Sequence, residues 1–275
     1  MMKQTELSEL DAVTRRVRGK ILELSHRAGT PHLASSLSCV DILVAAYWTA
    51  LRVDPKKPDD PGRDRLIFSK GHAAMALYAV LAERGFVPPE VLDAYCVDGG
   101  KLAEHPSPGC VPGLEVATGS LGHGLSWAVG LALAARLLKR ESRVLVIMSD
   151  GECEEGSTWE AALMAPAHKL SAITAVIDYN KWQATGRSNE IMALEPLARK
   201  WESFGWEARE VDGHDLRALS AELAAPQDPR GRPRAIIAHT VKGKGVSFMQ
   251  DDNNWHYRSP SDEELAAALR ELGLA

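Results

Sequence analysis

Two runs of almost unbroken aliphatic and β-branched residues, Val144 to Ser149 (VLVIMS) and Ala172 to Asn180 (AITAVIDYN), flank a segment that reads as a helix. A strand with one wet face alternates polar and apolar residues, whereas a strand without polar breaks needs cover on both faces. The pattern recurs along the chain. LIFSKGH, from Leu66, reads as a short strand running into a helix over Ala73 to Arg84, and ARKWESFGWEAREVDGHD as a helix and a strand. LRALSAELAA then reads as a helix and RAIIAHT as a last strand. Strands alternating with helices predict an α/β fold, a parallel β-sheet covered by helices on both faces. Ligands of such sheets sit beyond the carboxyl ends of the strands, so the turns after Ser149 and Tyr179 are where chemistry belongs.

Upstream, Leu10, Val13, Val17, Ile21 and Leu24 recur at helical spacing and predict an amphipathic helix over residues 9 to 28, followed by a second from about Cys39 to Leu51. Val53 to Arg65 is a proline-rich polar loop, and a long loop from Lys101 to Gly124, rich in His, Ser and Thr, opens a helix over Leu125 to Lys139. At 275 residues the expectation is one domain spanning 1–275. A net charge of -5, dispersed along the chain, gives no reason to propose nucleic acid or an anionic membrane as partner. Cys39, Cys96, Cys110 and Cys153 are far apart with no CxxC pair, which suits a reducing cytoplasm. The start, MMKQTELSEL, lacks an apolar leader core, and the apolar stretches Ile42 to Leu51 and Leu125 to Leu138 are too short to span a bilayer.

Asp150-Gly151 ends one strand and Asn180 ends the next, thirty residues on. Mg²⁺ is a hard ion that takes about six oxygens and usually draws only a few from protein. The Asp150 carboxylate, the Asn180 amide oxygen and the Trp182 backbone carbonyl would leave positions for diphosphate and water. Gly151 and Gly156 let backbone approach a phosphate, and the helix after them, with Ser157 and Glu160 as a capping box, aims its N-terminal N–H groups at the same place. The plain alternative is a turn at Asp150-Gly151 and a strand end capped by Asn180. No GxGxxG follows a strand and no GxxxxGK[ST] occurs, so dinucleotide-binding and P-loop readings lack their residues.

The strand, SDGExxEG turn, helix, strand and Asn together resemble the thiamine diphosphate fingerprint, with Ser149 where a glycine is usual. Beyond it, the whole chain resembles the N-terminal part of transketolases, and more closely the short subunits of split transketolases. AGTPHLASSLSCVDILVAAY carries His32, SKGHAAMALYAVL carries His72, LAEHPSPG carries His105, and VKGKGVSFMQDDNNWH carries His256. TGSLGHGLSWAVG, with Gly119, Ser120, Leu121 and Gly122, is similar to the loop lying against thiazolium and diphosphate.

The resemblance implies a diphosphate-binding (PP-type) domain that takes thiamine diphosphate and Mg²⁺ and transfers a two-carbon ketol group between sugar phosphates. It implies cofactor contacts from His72, Gly119, Ser120, Leu121, Gly122, Asp150, Gly151, Glu152, Asn180 and His256, metal contacts from Asp150, Asn180 and Trp182, and catalytic roles for His32, His72, His105, His256 and Glu155. Histidines near neutral pKa suit the proton transfers of such a reaction. The Glu155 position reaches a subunit interface in the family; were the turn merely acidic, Glu152 and Glu154 would be its solvent-facing members. His26, His168, His214 and His239 read as structural or surface residues, and His123 as a contact to phosphate or partner. Thr30-Pro31, Ala34-Ser35 and Tyr257 depart from the family pattern and would reshape the pocket.

The pyrimidine-binding half of a transketolase has no counterpart before Ala275. The resemblance therefore implies, as partner, a C-terminal transketolase subunit in an α2β2 assembly. Two other readings compete. One is the α subunit of a thiamine-dependent 2-oxo acid dehydrogenase or decarboxylase, which explains the metal motif but not the four histidines. The other is a catalytically silent chain that binds cofactor or partner.

Overall fold

The computed structural model describes residues 3–275; Met1 and Met2, the head of the segment read as lacking a leader, lie outside the described residues. Five parallel strands form one sheet: β1 (Arg65–Phe68), β2 (Val144–Ser149), β3 (Ile173–Tyr179), β4 (Glu207–Asp212) and β5 (Arg234–His239), in the order β1-β2-β3-β5-β4. Because successive side chains of a strand point to opposite faces, each unbroken apolar run feeds two cores. Leu145, Ile147, Val176 and Ile236 enter one, and Val146, Met148, Ala175, Ile177 and Ile237 enter the other.

The first core is covered by α1 (Gln4–Ala28), α2 (Leu33–Ser38), α3 (Val40–Ala45) and α4 (Ala74–Glu83), flanked by the short α5 (Pro89–Asp93). The second is covered by α6 (Gly124–Leu137), α7 (Gly156–Ala167) and, beyond the short α8 (Ser188–Ile191), by α9 (Leu197–Ser203). Returning to the first face, α10 (Leu216–Ala224) and α11 (Asp262–Glu271) complete the cover. Among the described residues no helix is long and apolar enough to cross a membrane.

Three local readings are corrected. Helix α1 starts at Gln4 rather than at residue 9, because the Glu6 carboxylate accepts the Lys3 N–H at 2.7 Å and stabilises an extra turn. The helix expected from Cys39 to Leu51 begins earlier, at Leu33, breaks at Cys39, and ends in a π-helical turn over Ala46–Ala50. Ser157 and Glu160 form no capping box: α7 opens at Gly156, and the Ser157 hydroxyl instead donates to the Gly122 carbonyl at 2.8 Å, stapling the glycine loop to the helix.

Candidate active site

The segments carrying His72, Asp150, Asn180 and His256 follow the carboxyl ends of β1, β2, β3 and β5 at one edge of the sheet, where the α1–α2 junction with His32 and the loop with His105 and Gly119 join them. They line a cavity of about 380 Å³. Three larger clefts, of about 450, 720 and 730 Å³, hold none of the motif residues.

Asp150, directly after β2, is fully buried. Its Oδ1 accepts the Gly151 N–H at 3.0 Å; its Oδ2 accepts the Lys181 N–H at 2.8 Å and the Ser188 hydroxyl at 2.9 Å. Burial pushes its pKa up to about 6 against these donors. Asn180, after β3, faces the same cavity, with its Oδ1 accepting the Trp182 N–H at 3.0 Å. A buried carboxylate whose bonded partners are neutral, beside an amide oxygen, is a donor set that fits a hard divalent cation. Among the described residues no three His, Cys, Asp or Glu converge as a metal cluster, and a set of one carboxylate, one amide and one carbonyl requires none.

The four motif histidines meet across the cavity. His32 lies 5.2 Å from His72, 6.5 Å from His105 and 4.8 Å from His256 between ring centroids. His32 occupies the left-handed region, at φ 68°, as it caps α2, and its N–H donates to the His256 carbonyl at 2.6 Å. Lys242 Nζ lies 2.7 Å from His256 Nδ1, and His256 Nε2 lies 3.2 Å from His32 Nδ1. An ammonium only donates, so with Lys242 protonated His256 carries its proton on Nε2 and passes a hydrogen bond to His32 Nδ1. That leaves the His32 Nε2–H facing Glu104, 3.5 Å away. Burial, with the neighbouring His105 and Lys242, lowers His32 to about 4; burial and Lys242 lower His256 to about 3. His72 is driven well below its ordinary value by burial and Lys70. These three imidazoles are therefore neutral near pH 7.

Beneath them Lys70, just past β1, is fully buried and bonded to Asp178 on β3 and to the Ser35 carbonyl at 3.0 Å. Asp178 also accepts from Ser38 at 2.6 Å and from Thr240. Although burial opposes its charge, the Lys70 ammonium holds the Asp178 carboxyl below the usual range.

The remaining expected residues divide. Gly119, Leu121, Gly151, Glu155 and the Trp182 segment line the cavity; Ser120 and Gly122 do not. A Cβ on Gly119 would lie 2.5 Å from the His105 ring, and Gly119 sits at φ 138°, so only glycine fits there. Glu152 is corrected. It faces neither solvent nor cavity but is buried under the glycine loop, accepting the Gly122 N–H at 3.0 Å and the Ser69 hydroxyl. Burial pushes its pKa up to about 7. His123 is exposed and bonded to carbonyls of its own loop, 3.2 Å from Ser120 O.

Four further residues belong to the site without having been singled out in the sequence: Lys242, Lys70, Glu104 and Gln183. Lysine beside a motif histidine, in SKGH, is the signal that was present for Lys70; Lys242 stands 14 residues before His256 and carried none. His214, read as structural, is so: it bonds Asp41 at 2.6 Å and accepts the Val241 N–H at 2.9 Å.

A parallel sheet whose strand ends hold buried oxygen donors beside a glycine loop and a histidine cluster fits a thiamine diphosphate-binding protein. The chain matches the family "Transketolase, thiamine diphosphate binding domain" over residues 12–275. It is 42% identical over 267 residues to an apulose-4-phosphate transketolase subunit of Actinobacillus succinogenes, covering 96% of each chain. It is 39% identical over 256 residues to the 6-deoxy-6-sulfo-D-fructose transketolase subunit SqwG of a Clostridium species, covering 93% of each. Among solved structures, transketolase from Leishmania mexicana superimposes with a TM-score of 0.88 at 25% identity, over 96% of this chain and 41% of that one. The chain belongs to the transketolase family, and is a thiamine diphosphate-dependent transketolase subunit.

Proposed function

We propose that this chain is the diphosphate- and metal-binding half of a split transketolase, one domain whose pyrimidine-binding counterpart is carried by a second subunit in an α2β2 assembly in the cytoplasm. The observation that carries this reading is the convergence of His32, His72, His105 and His256 on the cavity that also holds Asp150 and Asn180. Asp150, Asn180 and the Trp182 carbonyl would hold Mg²⁺, and the glycine loop and the N-terminus of α7 would face the diphosphate. When bound, thiamine diphosphate supplies the carbanion-stabilising chemistry of its thiazolium. The chain's own residues bind, orient and handle protons. Neutral His32 and His256, with tautomers set by Lys242 when it is protonated, can exchange protons with sugar hydroxyls, and Glu104 can take a proton outward from His32.

A partner is supported on two grounds. The relatives named above are called subunits, and the chain spans about 40% of the solved transketolases it matches. Glu155 stands exposed on the cavity rim, and the helices that open there leave Trp127, Leu163 and Met164 exposed. The cytoplasmic placement is supported separately, since four cysteines without disulfide partners suit a reducing compartment.

The test is ketol transfer from a ketose phosphate to an aldose phosphate by the purified chain with Mg²⁺ and thiamine diphosphate, with and without a candidate second subunit. Activity that requires the second subunit supports the reading. Full activity of the chain alone refutes it.

A further inference from the structure

Asn180 and Trp182 lie on a segment that doubles back on itself. Trp182 and Arg187 form an antiparallel bridge, and the Gln183 N–H donates to the Gly186 carbonyl at 2.9 Å. Its far end returns to the candidate metal ligands, where Ser188 donates to Asp150.

The tip of this turn leans on a second segment through Asp251. Asp251 Oδ1 accepts the Trp182 indole N–H at 2.7 Å and Arg187 Nη1 at 2.7 Å, while Oδ2 accepts Arg187 Nη2 at 2.6 Å. The guanidinium lies 3.8 Å over the Trp182 ring. Asp251 sits in the left-handed region at φ 60°, which short polar side chains tolerate. Its own N–H donates to the Lys242 carbonyl at 2.9 Å. Two residues on, Asn253 donates to the Ala184 carbonyl at 3.1 Å and accepts Lys242 Nζ at 2.6 Å. One segment therefore carries both the clasp on the metal turn and the Lys242–His256 pair.

We propose that Asp251 is a positioning residue: with Arg187 and Trp182 it forms a clasp that holds the metal-binding turn against the Lys242–His256 segment, tying divalent-cation affinity to the histidine wall. The inference rests on the reading of Asp150, Asn180 and Trp182 as the metal-holding residues. The Asp251 side chain is 54% exposed and that of Arg187 34% exposed. Ion pairs in such surroundings contribute little to global stability. A bidentate, stacked guanidinium instead fixes direction, and the direction fixed here is that of the backbone carrying a proposed carbonyl ligand. Outer partners that orient metal ligands typically change metal affinity by about 10- to 100-fold.

The test is Mn²⁺ binding, followed by electron paramagnetic resonance on the full chain with saturating thiamine diphosphate, alongside the melting temperature without metal. Asp251→Asn keeps the left-handed backbone and one acceptor oxygen but removes the charge; Arg187→Gln removes the fork and keeps the test open if the first variant misfolds. Half-saturating Mn²⁺ is expected to rise about tenfold in both, with metal-free melting unchanged and Arg187→Lys intermediate. Unchanged Mn²⁺ binding in both variants, with binding abolished by Asp150→Ala, overturns the clasp and leaves the metal site standing. Absence of Mn²⁺ binding by the unaltered chain, or binding that survives Asp150→Ala, overturns both.

Discussion

Lys242, which burial and the neighbouring Lys70 push down to about 7, sets the proton positions of two histidines while it is protonated, because its ammonium then faces His256 Nδ1 and His256 in turn faces His32. Replacing Lys242 with Gln removes a positive neighbour that holds both imidazoles down. The His256 imidazole pKa, followed by NMR, is expected to rise from about 3 by on the order of one unit. These depressed values also bear on stability. An unfolded His binds a proton near pH 6.5 while folded His32 does so only near 4, so the unfolded state takes up protons first and stability falls as pH drops from 7 to 4. His32→Asn should flatten that loss by on the order of 2 kcal/mol, measured by urea unfolding at pH 7 and pH 4. The histidines were legible because each lies in a distinctive loop motif. Glu104 and Lys242 were not: their roles depend on partners 72 and 14 residues away along the chain, His32 and His256, which only the fold brings close.

At the scale of the element, β2, β3 and β5 were legible because a sheet covered on both faces leaves a nearly unbroken apolar run, whereas the edge strand β4 (EAREVD) carries none. Ile147 in the centre of β2 is fully buried, and Ile147→Ala should cost about 2–5 kcal/mol of unfolding free energy in denaturant titration. Helix starts were less legible, since Ser157 satisfies a loop carbonyl rather than its own helix, a tertiary choice that no local pattern encodes. The entry to β1 is secured by Asp64, fully buried, which binds Arg52 at 2.9 Å and Arg143 at 2.9 Å. Burial opposes its charge, but these hydrogen bonds hold its pKa below the usual range, so its contribution is present above the unfolded value and fades as pH falls toward the folded one. Asp64→Asn is expected to cost about 2 kcal/mol at pH 7 and progressively less below pH 4, read from thermal unfolding across pH.

For the whole molecule, the parallel topology gathers four strand ends on one edge, which is why motifs spread from His32 to His256 make a single cavity. Asp150→Ala should abolish Mg²⁺-dependent thiamine diphosphate binding by calorimetry while leaving the far-UV circular dichroism unchanged. The Lys70–Asp178 pair beneath the cavity bears on how this family can change over time. Substituting either residue alone strands the other charge in the interior, at about 3–5 kcal/mol, a large part of the stability of an ordinary domain. A lineage could leave this arrangement only by altering both codons together, or after first accumulating stability elsewhere. The floor of the site is therefore expected to be inherited as a unit, while Tyr257 and the other residues of the cavity mouth stay free to diverge one at a time.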